Sequence, residues 1–169
     1  MAEPIVFRFT PTQQDYVRIT RTLYARQPVN WVFLGLLILL SMFAFYLEKI
    51  SSSRNLFVLL LPPISLLVFA ILGFLVRPWQ AGNRAKKTER MVAEVTWEVT
   101  DEFIILKSTH TEAKTDWANF KKAFENDGFF FFNLSAVNMY QFIPKRAFES
   151  PAQMEAFRTL VKTKIPGLK

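Results

Sequence analysis

WVFLGLLILLSMFAFYL, Trp31–Leu47, is a run of 17 residues without an ionisable side chain, and LFVLLLPPISLLVFAILGFLV, Leu56–Val76, is a second of 21. At 1.5 Å rise per residue they extend about 26 and about 32 Å as helices, close to the roughly 30 Å hydrocarbon core of a bilayer. Leu, Ile, Val and Phe fill 11 positions of the first and 16 of the second. At roughly 0.3–0.6 kcal/mol each near a helix centre, that favours insertion by several kcal/mol. A helix in a soluble core carries a polar stripe, and neither run has one. A cleaved signal peptide fits poorly, because the first run begins at residue 31 and no small-residue cleavage site follows it. Both runs read as membrane spans.

The charges flanking the runs give the expected orientation. Residues 1–90 carry 11 Lys/Arg against 4 Asp/Glu, whereas residues 91–169 carry 10 of each, so the whole formal charge of +7 belongs to the first half. Arg8, Arg18, Arg21 and Arg26 precede the first span, and Arg77, Arg84, Lys86, Lys87 and Arg90 follow the second. The connecting segment has only Lys49 and Arg54. By the positive-inside rule both chain ends are cytoplasmic and Glu48–Asn55 faces out. Trp31 and Trp79 at the inner ends and Tyr46 at the outer end suit headgroup depth. The basic cluster Arg77, Arg84, Lys86, Lys87 and Arg90 sets topology and meets anionic headgroups at about 1 kcal/mol per residue.

Within the hairpin, Pro62-Pro63 removes backbone donors and is expected to kink the second span. Gly35 and Gly73 fall at similar depth and would let the two helices approach. No charged residue lies inside either run, which leaves a proton relay through one hairpin without carriers. Ahead of the spans, Ile5–Phe9 reads as a strand. Thr10-Pro11-Thr12-Gln13 reads as a capping box opening a helix to Arg26, with Tyr16, Ile19 and Leu23 on one face. That helix lies along the membrane interface or packs on the soluble domain.

The chain has 169 residues, 51% hydrophobic, with 18 Phe, 4 Trp and no Cys, and a mean hydropathy of +0.16. Disulfides, thiolate metal sites and cysteine nucleophiles are therefore excluded. From about residue 91 the period changes to two. Val95, Trp97 and Val99 alternate with polar residues, and Asp101-Glu102 turns the chain into Phe103–Ser108. Further strands are expected at Glu112–Asp116, near Ala123–Glu125, at Phe129–Leu134 beyond the Asn126-Asp127-Gly128 hairpin signal, and at Met139–Ile143. Trp117-Ala-Asn-Phe120 makes a helical turn. Ser150, Pro151 and Gln153 open a terminal helix whose apolar face is Met154, Phe157 and Val161. Six strands and one closing helix describe a mainly-β, pleckstrin-homology-like roll. The strand Ile5–Phe9, on the same side of the bilayer, is expected to join it. The fold class is thus a two-span helical hairpin plus a cytoplasmic roll. Its parts are 1–28 (strand and helix), 29–79 (hairpin), 80–90 (basic linker) and 91–169 (roll).

Val99-Thr100-Asp101-Glu102, Thr115-Asp116-Trp117-Ala-Asn-Phe120-Lys121-Lys122 and Phe142-Ile143-Pro144-Lys145-Arg146-Ala147-Phe148, behind two apolar spans, resemble the YcxB-like family of bacterial membrane proteins. The likeness extends over essentially the whole chain. It implies a bacterial inner-membrane protein with a pleckstrin-homology-like cytoplasmic domain, and it supplies no established activity.

Signals for catalysis are few. The chain has no phosphate-binding glycine loop, no H-E-x-x-H and no G-x-S-x-G. Its one histidine, His110, sits in a polar turn, and Asp101, Glu102 and Asp116 are better explained by turns and caps than by acid–base work. No metal, cofactor or catalytic residue is expected. Lys121-Lys122 and Lys145-Arg146, with Trp117, would form a basic patch for a phosphate or acidic peptide if the roll brings them together. Phe129–Phe132 place two aromatic rings on each face of a strand, so at least one face must be covered. The expected function is that of a non-enzymatic interaction module held at the inner membrane. Its partners would be the bilayer and a protein or anionic lipid, with room for a homo-oligomer. An enzyme or accessory subunit and a small oligomeric transporter stay open as alternatives. Nucleic acid is disfavoured by the net-neutral domain.

Overall fold

The computed structural model describes residues 4–50, 56–88, 91–109, 111–134 and 139–165. They form two units, one of sheets (4–11 with 91–165) and one of helices (12–88).

In the sheet unit, strands β1 (Ile5–Phe9), β2 (Val95–Val99), β3 (Phe103–Ser108) and β4 (Thr111–Asp116) form one sheet in that order. Strands β5 (Phe120–Glu125), β6 (Phe129–Leu134) and β7 (Met139–Pro144) form a second. Every pairing is antiparallel. β1 does join β2, in the register Ile5↔Val99 to Phe9↔Val95. Two turns carry their own hydrogen bonds. The Thr100 hydroxyl accepts from the Phe103 N–H at 3.1 Å, and Asn126 Oδ1 accepts from the N–H groups of Gly128 and Phe129 at 3.0 and 2.8 Å.

Helix α5 (Pro151–Lys164) starts where Ser150 Oγ accepts from the Gln153 N–H at 3.1 Å. The other half of the expected box is displaced. Gln153 Oε1 accepts instead from the Glu149 N–H, and Gln153 Nε2 donates to the Val6 carbonyl at 3.1 Å, which ties α5 to β1. Phe7, Trp97, Val99 and Ile104 from the first sheet, Phe130, Phe132 and Ile143 from the second, and Phe157, Val161 and Ile165 at the helix make one core. Phe157 is its hub, meeting Phe7, Phe130 and Phe132 edge-on at 5.6, 5.3 and 6.0 Å between ring centroids. Edge-on pairs set the positive rim of one ring against the negative face of another. The run Phe129–Phe132 is buried on both faces. Phe130 and Phe132 enter this core, while Phe129 and Phe131 join Phe124 and Phe142 in an aromatic layer on the other face, with Phe124 stacked on Phe131 at 4.4 Å.

The helical unit has α1 (Gln13–Arg26), α2 (Pro28–Ile50), α3 (Leu56–Ile71), a π-helical turn (Leu72–Val76) and α4 (Arg77–Lys87). The start of α1 differs from the expected box at Thr10–Gln13. Thr12 is the cap and Asp15 its reciprocal partner, accepting from the Thr12 N–H at 2.7 Å and the Thr12 hydroxyl at 2.8 Å. A carboxylate makes stronger hydrogen bonds than a Gln amide and is favoured at a helix N-terminus, so the later box wins.

Pro28–Leu47 and Leu60–Lys87 are each long and apolar enough to cross a membrane. The second helix does not end at Val76. The stretch read as a basic linker over 80–90 is helical to Lys87, where Gly82, the one residue in it that weakens a helix, is packed against α1. Pro78 has no N–H to offer the Phe74 carbonyl four residues back, and the turn just before it widens. There the Arg77 N–H bonds the Leu72 carbonyl, five residues back. α3 runs through Pro62 and Pro63.

Gly73 does not serve an approach to Gly35, which has nothing near its Cβ position. A Cβ at Gly73 would overlap the Tyr24 ring. Gly82 likewise lies against Val17 and Gln13, where a Cβ would sit 2.8 Å from Val17 Cγ2. The buried face of α1, including Ile19 and Tyr24, therefore packs on α4 and the π turn. Of the expected outer loop Glu48–Asn55, residues 48–50 continue α2, because no breaker precedes them, and residues 51–55, with Arg54, lie outside the described residues.

Candidate functional site

The five residues expected to form a basic patch fall in four places. Lys121 and Lys122 are exposed at the start of β5, where the register slips between Phe120 and Lys122 and sets both side chains outside the core. Lys122 pairs with Asn133, while Glu125, three residues on, pairs with Phe130. Lys145 belongs at this second end, since its N–H donates to the Gly128 carbonyl at 2.8 Å. Three residues of strand separate the two ends by about 10 Å. Arg146 is exposed and donates to the Thr10 carbonyl at 3.3 Å. Trp117 is buried, and its Nε1–H donates to the Thr100 carbonyl at 2.9 Å, fastening the chain after β4 to the β2–β3 turn.

Lys145 instead completes a cluster that the sequence does not announce. Glu125 accepts from Arg158 in a two-pronged pair, Nε to Oε2 at 2.8 Å and NH2 to Oε1 at 2.7 Å, while Lys145 Nζ lies 2.6 Å from Oε1. Glu155 pairs with the remaining arm of Arg158. Both cations also stand near the Phe130 ring, at 5.6 and 5.7 Å from its centroid. The Arg158 hydrogen bonds hold the Glu125 carboxyl down at about 2, against the opposing effect of partial burial and with Lys145 assisting. Arg158 is raised in turn, chiefly by Glu125. Such a cluster joins α5 to the β5–β6 hairpin. Its carboxylate is already bonded on both oxygens, so it is built to hold structure rather than to move protons.

Among the described residues no group of three or more His, Asp or Glu is arranged to hold a metal ion. His110 and Arg90 lie outside the described residues. Tyr16, on α1, has its phenol pushed up by burial and by the neighbouring Asp15 carboxylate.

In the helical unit, Arg77, Arg84, Lys86 and Lys87 are all exposed on α4. Arg77 stands over the Tyr24 ring, its Cζ 5.4 Å from the centroid. Beside that ring is a cleft of about 140 Å³ whose walls include Trp31, Leu34, Phe69 and Phe74. Nothing in the sequence signals this cleft, because it needs Tyr24 folded over Gly73 from a separate helix.

Residues 99–161 match the family model described as YcxB-like protein. The match runs from the last residue of β2 into α5, so the chain carries a YcxB-like domain made of β3–β7 and most of α5. This is narrower than the whole-chain likeness read from the sequence. No curated protein and no solved structure matches the chain.

Proposed function

We propose, taking residues 99–161 as a YcxB-like domain, that the chain is a non-enzymatic bacterial inner-membrane protein. Two spans hold a pleckstrin-homology-like sheet domain at the cytoplasmic face, where it binds a protein or lipid partner. The observation that carries this reading is the pairing of β1 with β2. β1 precedes the two candidate spans and β2 follows them, so strands that share hydrogen bonds must lie on one side of the bilayer. A hairpin, with its even number of crossings, returns the chain to the same side, so the pairing supports this reading. The excess of Lys and Arg before the first span and after the second supports the cytoplasm as that side. Two packed antiparallel sheets with a helix across them favour the pleckstrin-homology-like reading.

A binding role is also supported by how the domain uses its charges. Glu125, Lys145 and Arg158 are bonded to one another, and the exposed Lys121 and Lys122 are left facing solvent. Photo-crosslinking in native membranes tests the reading, with a probe at Lys122 and another at Ser52. Capture of one specific partner from Lys122 is expected. Specific capture from Ser52 alone, or sustained turnover by the purified full chain, would sink it.

A further inference from the structure

We propose that the cleft beside Tyr24 seats the acyl chain of an anionic phospholipid whose phosphate rests on Arg77. The proposal rests on the membrane reading above and concerns the helical unit alone. The cleft's walls are formed by Tyr24, Trp31, Leu34, Phe69, Ala70 and Phe74. Two N–H donors at its edge are already used within the chain. Asn30 Nδ2 donates to the Tyr24 carbonyl at 2.6 Å, and Trp31 Nε1–H donates to the Ala25 carbonyl at 2.7 Å. The lining is almost wholly apolar, so water entering it would gain little. An apolar cavity of about 150 Å³ stays dry and accepts a benzene-sized apolar body. A short stretch of hydrocarbon chain fits that description, and the helices around the cleft present apolar side chains outward, as a lipid environment requires.

Charge at the rim narrows the occupant. Tyr24 is a wall of the cleft on one side and, through its ring, the platform for the exposed Arg77 guanidinium. A planar guanidinium fixed on an aromatic ring is oriented to meet phosphate oxygens in pairs. Trp31, half exposed next to the cleft, is the residue type that settles at headgroup depth. Tail and phosphate sites thus meet at one residue, Tyr24, and Gly73 makes room for its ring. Arg84 and Lys87 lie seven and ten residues beyond Arg77, about 10 and about 15 Å farther along the helix, and unlike Arg77 neither is seated on the Tyr24 ring, so they add to the local field without making this contact. A phosphatidylcholine offers the same tail and phosphate, but its choline cation offsets the attraction, and Arg77 selects the anionic lipid.

Native mass spectrometry of the detergent-solubilised full chain, titrated with equal amounts of phosphatidylglycerol and phosphatidylcholine, tests the site. Wild type is expected to retain phosphatidylglycerol about fivefold better. Ala70→Phe, or Leu34→Trp where the first disturbs helix content, fills the cleft and lowers retention of both lipids by about tenfold. Arg77→Gln, at an exposed position, keeps phosphatidylcholine retention and loses the fivefold preference. Equal retention of the two lipids by wild type, unchanged retention in the filled variants, or a second copy of the chain displacing lipid would each overturn the proposal. Carbonate extraction from membranes checks the spans separately. A chain that resists extraction yet shows no lipid preference defeats this site and leaves the spans standing.

Discussion

Phe131 and Leu39 are both large apolar side chains, yet one is 0% exposed and the other 64%. The contrast extends to their units. The sheet unit buries most of its aromatic residues and carries equal numbers of acidic and basic groups over 91–169. In the helical unit α2 shows Val32, Leu36, Leu40 and Phe43 to the outside, and the first half of the chain carries the entire net charge. One unit satisfies its hydrophobic residues by packing them on each other. The other packs a minority of them, where α1 meets α4 and where α2 meets α3 as Phe33 stacks on Phe69, and leaves the rest on the surface of two helices long and apolar enough to cross a membrane. Exposure of the same residue type therefore separates a unit with its own apolar core from one whose long helices leave their apolar side chains uncovered.

The largest expected effect is confined to the sheet unit. Phe157→Ala removes the ring on which both sheets converge and should cost about 3–5 kcal/mol, read as loss of cooperative unfolding and early proteolysis after residue 90, with membrane extraction unchanged. Next is Leu39→Lys, near the middle of α2, which should weaken insertion by about 3 kcal/mol and raise the carbonate-extractable fraction. If it behaved like a surface substitution, the contrast between the units would fail. Gly73→Ala should cost about 1–2 kcal/mol through overlap with the Tyr24 ring. The same change in a Tyr24→Ala background should cost far less, a coupling measured by a double-mutant cycle.

Glu125→Gln comes lower, at about 1–2 kcal/mol, since solvent screens a cluster at the edge of the fold. Its pH dependence has a definite sign. The folded carboxyl titrates at about 2, below the unfolded value, so its stabilisation is present above the ordinary carboxylate range and is lost as pH falls towards about 2. Acid unfolding should therefore be less steep in Glu125→Gln than in wild type. Smallest of all, Lys121→Glu with Lys122→Glu should shift stability by no more than about 0.5 kcal/mol, while altering partner capture.

The two long apolar helices, the strands from Val95 to Ile143 and the terminal helix were legible because each follows from local pattern: unbroken apolar runs, a period of two, or Ser-Pro at a helix start. The joining of β1 to β2 was legible because the two strands flank the pair of apolar runs, which was expected to return the chain to the side it left. What local pattern could not supply were pairings across the chain. Glu125 and Arg158 are 33 residues apart, and nothing near either one announces the other. Tyr24 on Gly73 likewise depends on how α1 returns to the second helix. Lys145 looked like a neighbour of Arg146 in a patch because sequence adjacency hides direction. Its chain turns towards the β5–β6 hairpin, whereas Arg146 reaches the Thr10 carbonyl.

The absence of cysteine makes single-cysteine labelling in intact cells a clean measurement of the membrane arrangement. Arg8→Cys on β1, Lys122→Cys on β5 and Ser52→Cys between the candidate spans are each treated with a membrane-impermeant maleimide before and after permeabilisation. Labelling of Ser52→Cys from outside, with Arg8→Cys and Lys122→Cys reacting only after permeabilisation, is the predicted result. Labelling of Arg8→Cys and Lys122→Cys from opposite sides, or of all three from one side, would contradict a hairpin that holds a strand-paired domain in the cytoplasm.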